Sequence, residues 1–398
     1  MDVSLFAIIF EDFIRSVIMI AHRPLRRKHD LHKITYILKQ NAVLIVALVA
    51  ALLSSVVVPP DVKYLSYLDF RTLTCLFCTL AVICGLRNIR FFTVVAIKLV
   101  SLAGSTRKTV IALLMITFIG SMLIANDMAL ITFLPLGYIA LSETGHKKYL
   151  CYTFIMQNIA ANLGGMVTPF GNPQNLFLYN KFNIPTGEFT LIMLSPFLLS
   201  ITLILLSVFI FVKNEKVELN RESDTKLPIK KTVAYLALFA FSLLIVFRLI
   251  PFIVGLILIP AAMILLDHKA LKEVDYGLLF TFVFFFIFAG NMARIDAISA
   301  VLSSLMEKNA LIVSSLSCQF ISNVPSAILL SEFTDNYREL LLGVNIGGTG
   351  TLIASLASLI TFRQYQSVDP GGVKKYCITF SLINFAFLGI LMIFCSII

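Results

Sequence analysis

The amino-acid sequence predicts an all-α polytopic membrane protein made of two inverted five-element repeats, each holding a re-entrant helical hairpin and a broken transmembrane helix. Three observations lead there. Of the 398 residues, 59% are hydrophobic and 14% charged, with mean hydropathy +0.93, whereas a soluble domain is about half apolar and about a quarter charged. The charges collect in short runs between apolar stretches long enough to cross a hydrocarbon core of about 30 Å. And residues 162–179 align without gaps to 345–362, sharing Asn162 with Asn345, Gly164 with Gly347, Gly165 with Gly348 and Thr168 with Thr351.

The elements follow in order. In residues 1–40, Phe6, Ile9, Phe10, Phe13 and Val17 recur at helical spacing opposite Glu11, Asp12 and Arg15; this reads as an interfacial helix followed by a basic segment rather than a crossing. The absence of a basic leader and the interrupted apolar run argue against a cleaved signal peptide. Apolar crossings are expected at about 41–60, 66–86, 189–213, 232–249, 252–266, 274–290 and 376–397. Four further segments, 108–141, 149–180, 309–332 and 338–362, carry Asn, Gly, Pro or Asp midway through an apolar run. Reading 108–141 and 309–332 as hairpins and the other two as broken helices divides the chain into a first repeat (41–213), a cytoplasmic loop with an inverting span (214–250), and a second repeat (251–398). The extra span turns the second repeat upside down.

Charge supports this topology. With the N-terminus cytoplasmic and the C-terminus outside, Arg87, Arg90, Arg107, Lys147, Lys148, Lys269, Lys272, Arg363, Lys374 and the 213–231 loop fall inside, while Lys63, Arg71, Lys181, Arg248, Arg294, Lys308 and Arg338 fall outside. This is the positive-inside bias of a cytoplasmic-membrane protein. The same placement of the formal net charge of +10 beside spans, not in a free patch, argues against nucleic acid as a partner and for the lipid bilayer. The seven cysteines form no loop framework, and Cys75 and Cys78 make a CxxC inside a span, where small packing residues are expected. All five histidines fall in polar segments. Neither a GxxxxGK[ST] loop nor an HExxH occurs, so neither ATP hydrolysis nor a zinc protease is indicated, and no cofactor or enzymatic activity is expected.

Breaks at bilayer depth require a polar cavity in place of lipid. Hairpin tips and unwound helices bring half-helix N-termini, positive and rich in free N–H groups, to a shared centre, while their freed carbonyls can hold a cation. The candidate ligands are Asn126, Asp127, Asn162, Gly165, Thr168, Gly171, Asn172, Gln174, Asn175, Ser322, Asn323, Asn345, Gly348, Thr349 and Thr351. Amides offer oxygens to sodium and NH2 donors to an anion, hydroxyls add to both, and glycines admit close approach to the backbone. Helix-to-helix adhesion is the competing role for each Asn or Thr taken singly. Asp127 is the one carboxylate in the interior of these segments, away from their ends, opposite Val324 in the second hairpin. It is expected to ligate sodium with Asn126 and Asn323 or to carry a coupled proton; a helix-capping role is the alternative.

At GNPQN (171–175), the ANDMALITFLPL and SNVPSAILL tips and GVNIGGTGTLIASLAS (343–358), the chain resembles the ion transporter superfamily. Within it the match is to the citrate-transporter-like group, which takes in arsenite permeases, NhaD-type sodium/proton antiporters and divalent-anion:sodium symporters. The resemblance covers about 41–397 and implies a secondary transporter of a small carboxylate or oxyanion, coupled to sodium or protons and working by alternating access. Arsenite-type efflux or sodium/proton antiport is the second expectation, and a homodimer paired through its scaffolds a third. In the symporters both tips read Ser-Asn-Thr. Here they read Ala125-Asn126-Asp127 and Ser322-Asn323-Val324, so only the asparagines and one serine carry over, and Asp127 leans towards the permease and antiporter side.

Overall fold

A computed structural model describes residues 42–216 and 227–398. The proposed interfacial helix and most of the 213–231 loop lie outside the described residues. Within them the protein is all-helical, with seventeen α-helices. Eight are long and apolar enough to cross a membrane. These helices are those of a multi-pass membrane protein.

The first group is α1 (Ala42–Val57), the short α2 (Tyr64–Tyr67), α3 (Phe70–Asn88) and α4 (Phe91–Ser101). Asp69 caps α3 by accepting the Thr72 amide, as an Asp before an apolar run should. Helices α5 (Thr106–Leu123) and α6 (Asn126–Glu143) follow, then α7 (Leu150–Gly164), α8 (Pro173–Lys181) and α9 (Thr186–Phe211). The second half runs through α10 (Ile229–Val246), α11 (Phe252–Lys272), α12 (Tyr276–Ala293), α13 (Asp296–Ile321), α14 (Asn323–Leu330), α15 (Tyr337–Ile346), α16 (Leu356–Val368) and α17 (Val373–Cys395).

All four expected breaks are present. The hairpins turn at 124–125, between α5 and α6, and at Ser322, between α13 and α14. The crossing helices unwind at 165–172 and at 347–355. Two pieces are additional. Helix α4 has eleven residues, too few to span and so unmarked by a search for crossings. The first half of α13 is set off by Asn309, whose non-helical backbone (φ −166°, ψ 90°) lets its Oδ1 accept the Ile312 amide and cap the hairpin arm. Ser105 does the same for α5, accepting the Lys108 amide. Each hairpin is therefore preceded by a short helix.

Packing sorts the helices into two bodies. In one, α1 lies against α12, α3 against α11, and α10 against both α3 and α11. Exchanging α1 with α11 and α3 with α12 maps the first contact onto the second, which is what a twofold relation between the halves would produce. In the other, each hairpin packs on its own broken helix, α6 touches α16, and α8 touches α14. The same exchange maps one of these contacts onto the other.

Ion pairs divide between two ends. At one end Arg87 meets Glu273 at 3.1 Å, and Glu215 receives both Lys148 and His146. There the 212–216 segment also ties to the root of the first hairpin, with the Thr106 amide donating to the Glu215 carbonyl and Arg107 Nε to the Val212 carbonyl. At the other end Arg294 forks onto Asp61, Lys181 meets Glu332, and Tyr337 donates to Glu188. The root of the second hairpin lies among this second set.

Candidate functional site

Four half-helices begin at one place: Asn126 starts α6, Pro173 starts α8, Asn323 starts α14 and Leu356 starts α16. All four of these residues line a single cavity of about 40 Å³, together with Asp127, Gln174, Ser322 and, from the other body, Thr281 and Val43. Proline at the first position of α8 costs no hydrogen bond there and presets the dihedral. The four N-termini bring the positive ends of their helix dipoles to this space.

The tips are built alike. Asn126 Oδ1 accepts the Asp127 amide at 3.0 Å, and Asn323 Oδ1 accepts the Val324 amide at 2.9 Å. Asn126 Nδ2 then donates to Asn162 Oδ1 at 3.1 Å. On the second hairpin the Asn323 amide is held by the Ala354 carbonyl at 2.9 Å. Gly348 lies between the two halves: a Cβ there would sit 3.1 Å from Asn323 Nδ2 and 3.8 Å from Asn162 Oδ1. A side chain there would press on the Asn323 side-chain amide and the Asn345 carbonyl and only touch Asn162. Ser322 reaches the turn with φ +74°, unusual for a residue other than glycine.

The two unwound segments are stitched across the halves. Asn162 Nδ2 donates to Ser355 Oγ at 3.1 Å, and Asn172 Nδ2 to Asn345 Oδ1 at 3.4 Å. Asn345 Nδ2 donates to Asn175 Oδ1 at 2.6 Å, and Asn158 Nδ2 to Ser358 Oγ at 3.2 Å. Asn175 Nδ2 also covers the loosened carbonyls of Gly165, Met166 and Thr168. None of Asn126, Asn162, Asn172, Asn175, Asn323 and Asn345 is more than 4% exposed, so in a membrane these mutual bonds replace water.

Of the candidate hydroxyls only Ser322 lines the cavity; the threonines of the two breaks stand behind it. Thr168 donates to the Met122 carbonyl at 2.9 Å and Thr351 to the Gln319 carbonyl at 3.0 Å, each clasping the break of a crossing helix to the end of its hairpin arm. Thr349 donates to the Ile346 carbonyl. Gly165 and Gly171 are pressed together, a Cβ on Gly171 falling 2.3 Å from the Gly165 carbonyl. They shape the loop without facing the cavity.

Two buried oxygens in the cavity lining have no donor: Asp127 Oδ1 and Gln174 Oε1. Unpaired oxygens together with the tip amides are the donor set of a hard cation such as sodium. Among the described residues no group of three or more His, Cys, Asp or Glu could hold a metal, so any cation site here rests on one carboxylate and neutral oxygens. The volume suits an ion with about two waters and not a polycarboxylate.

Comparison with known proteins fits this architecture. Residues 33–336 match the citrate transporter family. The chain belongs to that family. An uncharacterized transporter of Methanocaldococcus jannaschii is 34% identical over 78% of this chain and 85% of its own length. The inner membrane protein YbiR of Escherichia coli is 28% identical over 74% of this chain and 80% of its own. As a member of the citrate transporter family the protein is a transporter, and the family match includes both hairpins and the first broken helix. Ser355 and Ser358, which complete the stitching, lie beyond it. Their signal is internal: the gapless repeat alignment sets them opposite Asn172 and Asn175. Gln319 has no such signal, since its counterpart is Met122. Its amide nonetheless bonds the Gly347 and Thr349 carbonyls and accepts the Thr351 amide.

Proposed function

We propose that the protein is a secondary active transporter that moves a small anion, a carboxylate or an oxyanion, across the cytoplasmic membrane by alternating access, coupled to sodium or protons. The convergence of four half-helix N-termini on one cavity carries this reading, because it offers a fixed positive potential to an anion without a buried basic side chain. Sequence 41–213 and 251–398 act as inverted repeats, supported by the exchanged helix pairings and by the roots of the two hairpins lying with opposite sets of ion pairs. The N-terminus is cytoplasmic and the C-terminus outside. The hairpins and broken helices move as a unit against α1, α3 and α10–α12, which also pair two copies of the chain.

Coupling resides at Asp127. Its carboxylate completes a cation site with Asn126, Asn323 and Gln174, and occupancy by sodium or a proton offsets its charge so that an anion can bind beneath the helix ends. The lone carboxylate also favours a second reading, arsenite-type efflux or sodium/proton antiport, in which the same group exchanges its cation. Purified protein in sealed vesicles, given sodium or proton gradients and screened against citrate, dicarboxylates, sulfate, phosphate and arsenite, separates the two. In Asp127→Asn the shape is kept and the charge removed; the variant inserts and folds but loses gradient-driven accumulation. Full accumulation by this variant would rule out the carboxylate as the coupling group.

A further inference from the structure

A second cavity, of about 320 Å³, opens between the two bodies at the end of the molecule that carries the Arg294–Asp61 and Lys181–Glu332 pairs. Tyr67, Asp69 and Arg71 line it from the α2–α3 side, and Asn180, Lys181 and Glu332 from the body of hairpins and broken helices. It is large enough for a small carboxylate, whereas the central cavity in this arrangement has room only for an ion and waters.

Its acids are committed and its bases are not fully so. Asp69 is occupied by the Thr72 amide and hydroxyl at 3.0 and 2.5 Å. Glu332 lies 2.5 Å from Lys181 Nζ. Arg71 has no carboxylate partner among the described residues; its guanidinium rests 6.0 Å from the Phe252 ring. Nearby Arg248 is also without an acid. It donates to the Ile184 and Tyr179 carbonyls, lies over the Tyr179 ring, and keeps a buried Nε–H unpartnered.

We infer that this vestibule is a loading site for a small anion, bound between Arg71 on one body and Lys181 on the other, with the Glu332 carboxylate occupying the Lys181 side until the anion displaces it. Glu332 is a carboxylate already seated at Lys181, so the geometry for a carboxylate there is preformed. A ligand bridging Arg71 and Lys181 also links the two bodies before the central site opens. The inference rests on the anion-transport reading.

The test uses Ser66→Cys, an exposed position on the cavity wall, in a Cys377→Ser background, since Cys377 is the only native thiol that is not buried. In the reconstituted full chain one measures the ratio of reaction rates with an anionic sulfonate and a cationic trimethylammonium methanethiosulfonate, relative to a free thiol. The ratio exceeds one, falls about threefold in Arg71→Gln and in Lys181→Gln, rises in Glu332→Gln, and flattens in 1 M salt. Millimolar citrate or sulfate slows the reaction in the parent more than in Arg71→Gln. Lys181→Gln and Glu332→Gln break the same ion pair, so any purely structural effect moves both the same way. Equal shifts in those two, or no shift in Arg71→Gln, would overturn the inference. Anion uptake by the parent is measured alongside: uptake with an unmoved ratio sinks the vestibule alone, and a responsive ratio without uptake sinks the transport reading alone.

Discussion

Asn162 is the side chain that ties the first hairpin tip to the second broken helix, and truncating it should show this in free energy. It accepts from Asn126 at 3.1 Å, donates to Ser355 at 3.1 Å and, more weakly, to Asn158 at 3.5 Å, and is 2% exposed. In Asn162→Ala, Asn126 Nδ2 loses its one hydrogen bond and becomes a buried unsatisfied donor, at about 1–3 kcal/mol; the lost bond to Ser355, which keeps Ser358, adds roughly 1 kcal/mol. The expected total is about 2–4 kcal/mol. Asn158→Ala, which gives up one bond to Ser358 and a long one to Asn162, should cost about 1 kcal/mol. The protein has no tryptophan, but six cysteines are buried, so a fluorogenic thiol reagent reports unfolding during a denaturant titration. The double variant Asn126→Ala/Asn162→Ala should be less destabilised than the sum of the singles, because the orphaned donor is gone, with a coupling of about 1–2 kcal/mol. Additive costs, or an Asn162→Ala protein as stable as the parent, would refute the idea that this amide holds the first tip to the second broken helix.

Other consequences are equally direct. Cysteines placed in the 142–148 loop and in the 333–337 loop should label from opposite sides of the membrane; labelling of both from one side would dismantle the inverted arrangement. Gly164→Ala puts a methyl 2.2 Å from the Phe118 carbonyl, a backbone atom with no freedom to retreat, and should cost about 1–3 kcal/mol, whereas Gly389→Ala, which meets nothing within 4 Å, should be neutral. Hydrogen bonds from Lys148, with help from His146, hold the Glu215 carboxyl below its ordinary 4.5. A carboxyl lowered by folding stabilises above that ordinary value and loses its contribution as pH falls through the folded one. Protection of the Thr106 amide, bound to the Glu215 carbonyl, should therefore persist from pH 7 to about 4.5, fall only below it, and already be reduced at pH 7 in Glu215→Gln.

Helix breaks were legible in the sequence because Asn, Gly and Pro inside an apolar run are costly in lipid unless something replaces the missing backbone bonds. The alignment of Asn162 with Asn345 then located both central stitches. Helix α4 and the first half of α13 escaped notice because eleven to thirteen residues cannot cross a bilayer, and their role is to lie beside a hairpin rather than to span. Thr168 and Thr351 were recognised as a pair, yet their partners, the carbonyls of Met122 and Gln319, are backbone groups far along the chain. A hydroxyl's residue type says that it will bond, not whether to ligand or to protein. Gln319 carries no signal because a lone glutamine in an apolar arm has no periodic or repeated signature.

The crossed stitching also constrains how the protein is made. Asn162 finds Ser355 193 residues further along, which at about 5–20 residues per second is roughly 10–40 s of synthesis. Throughout that interval the first broken helix has been handed to the membrane with its polar turn uncovered. The nascent first half must therefore shelter that turn in the insertion machinery, in a water defect or against a helper protein, and a chain terminated after α9 is a substrate for quality control rather than a half-transporter.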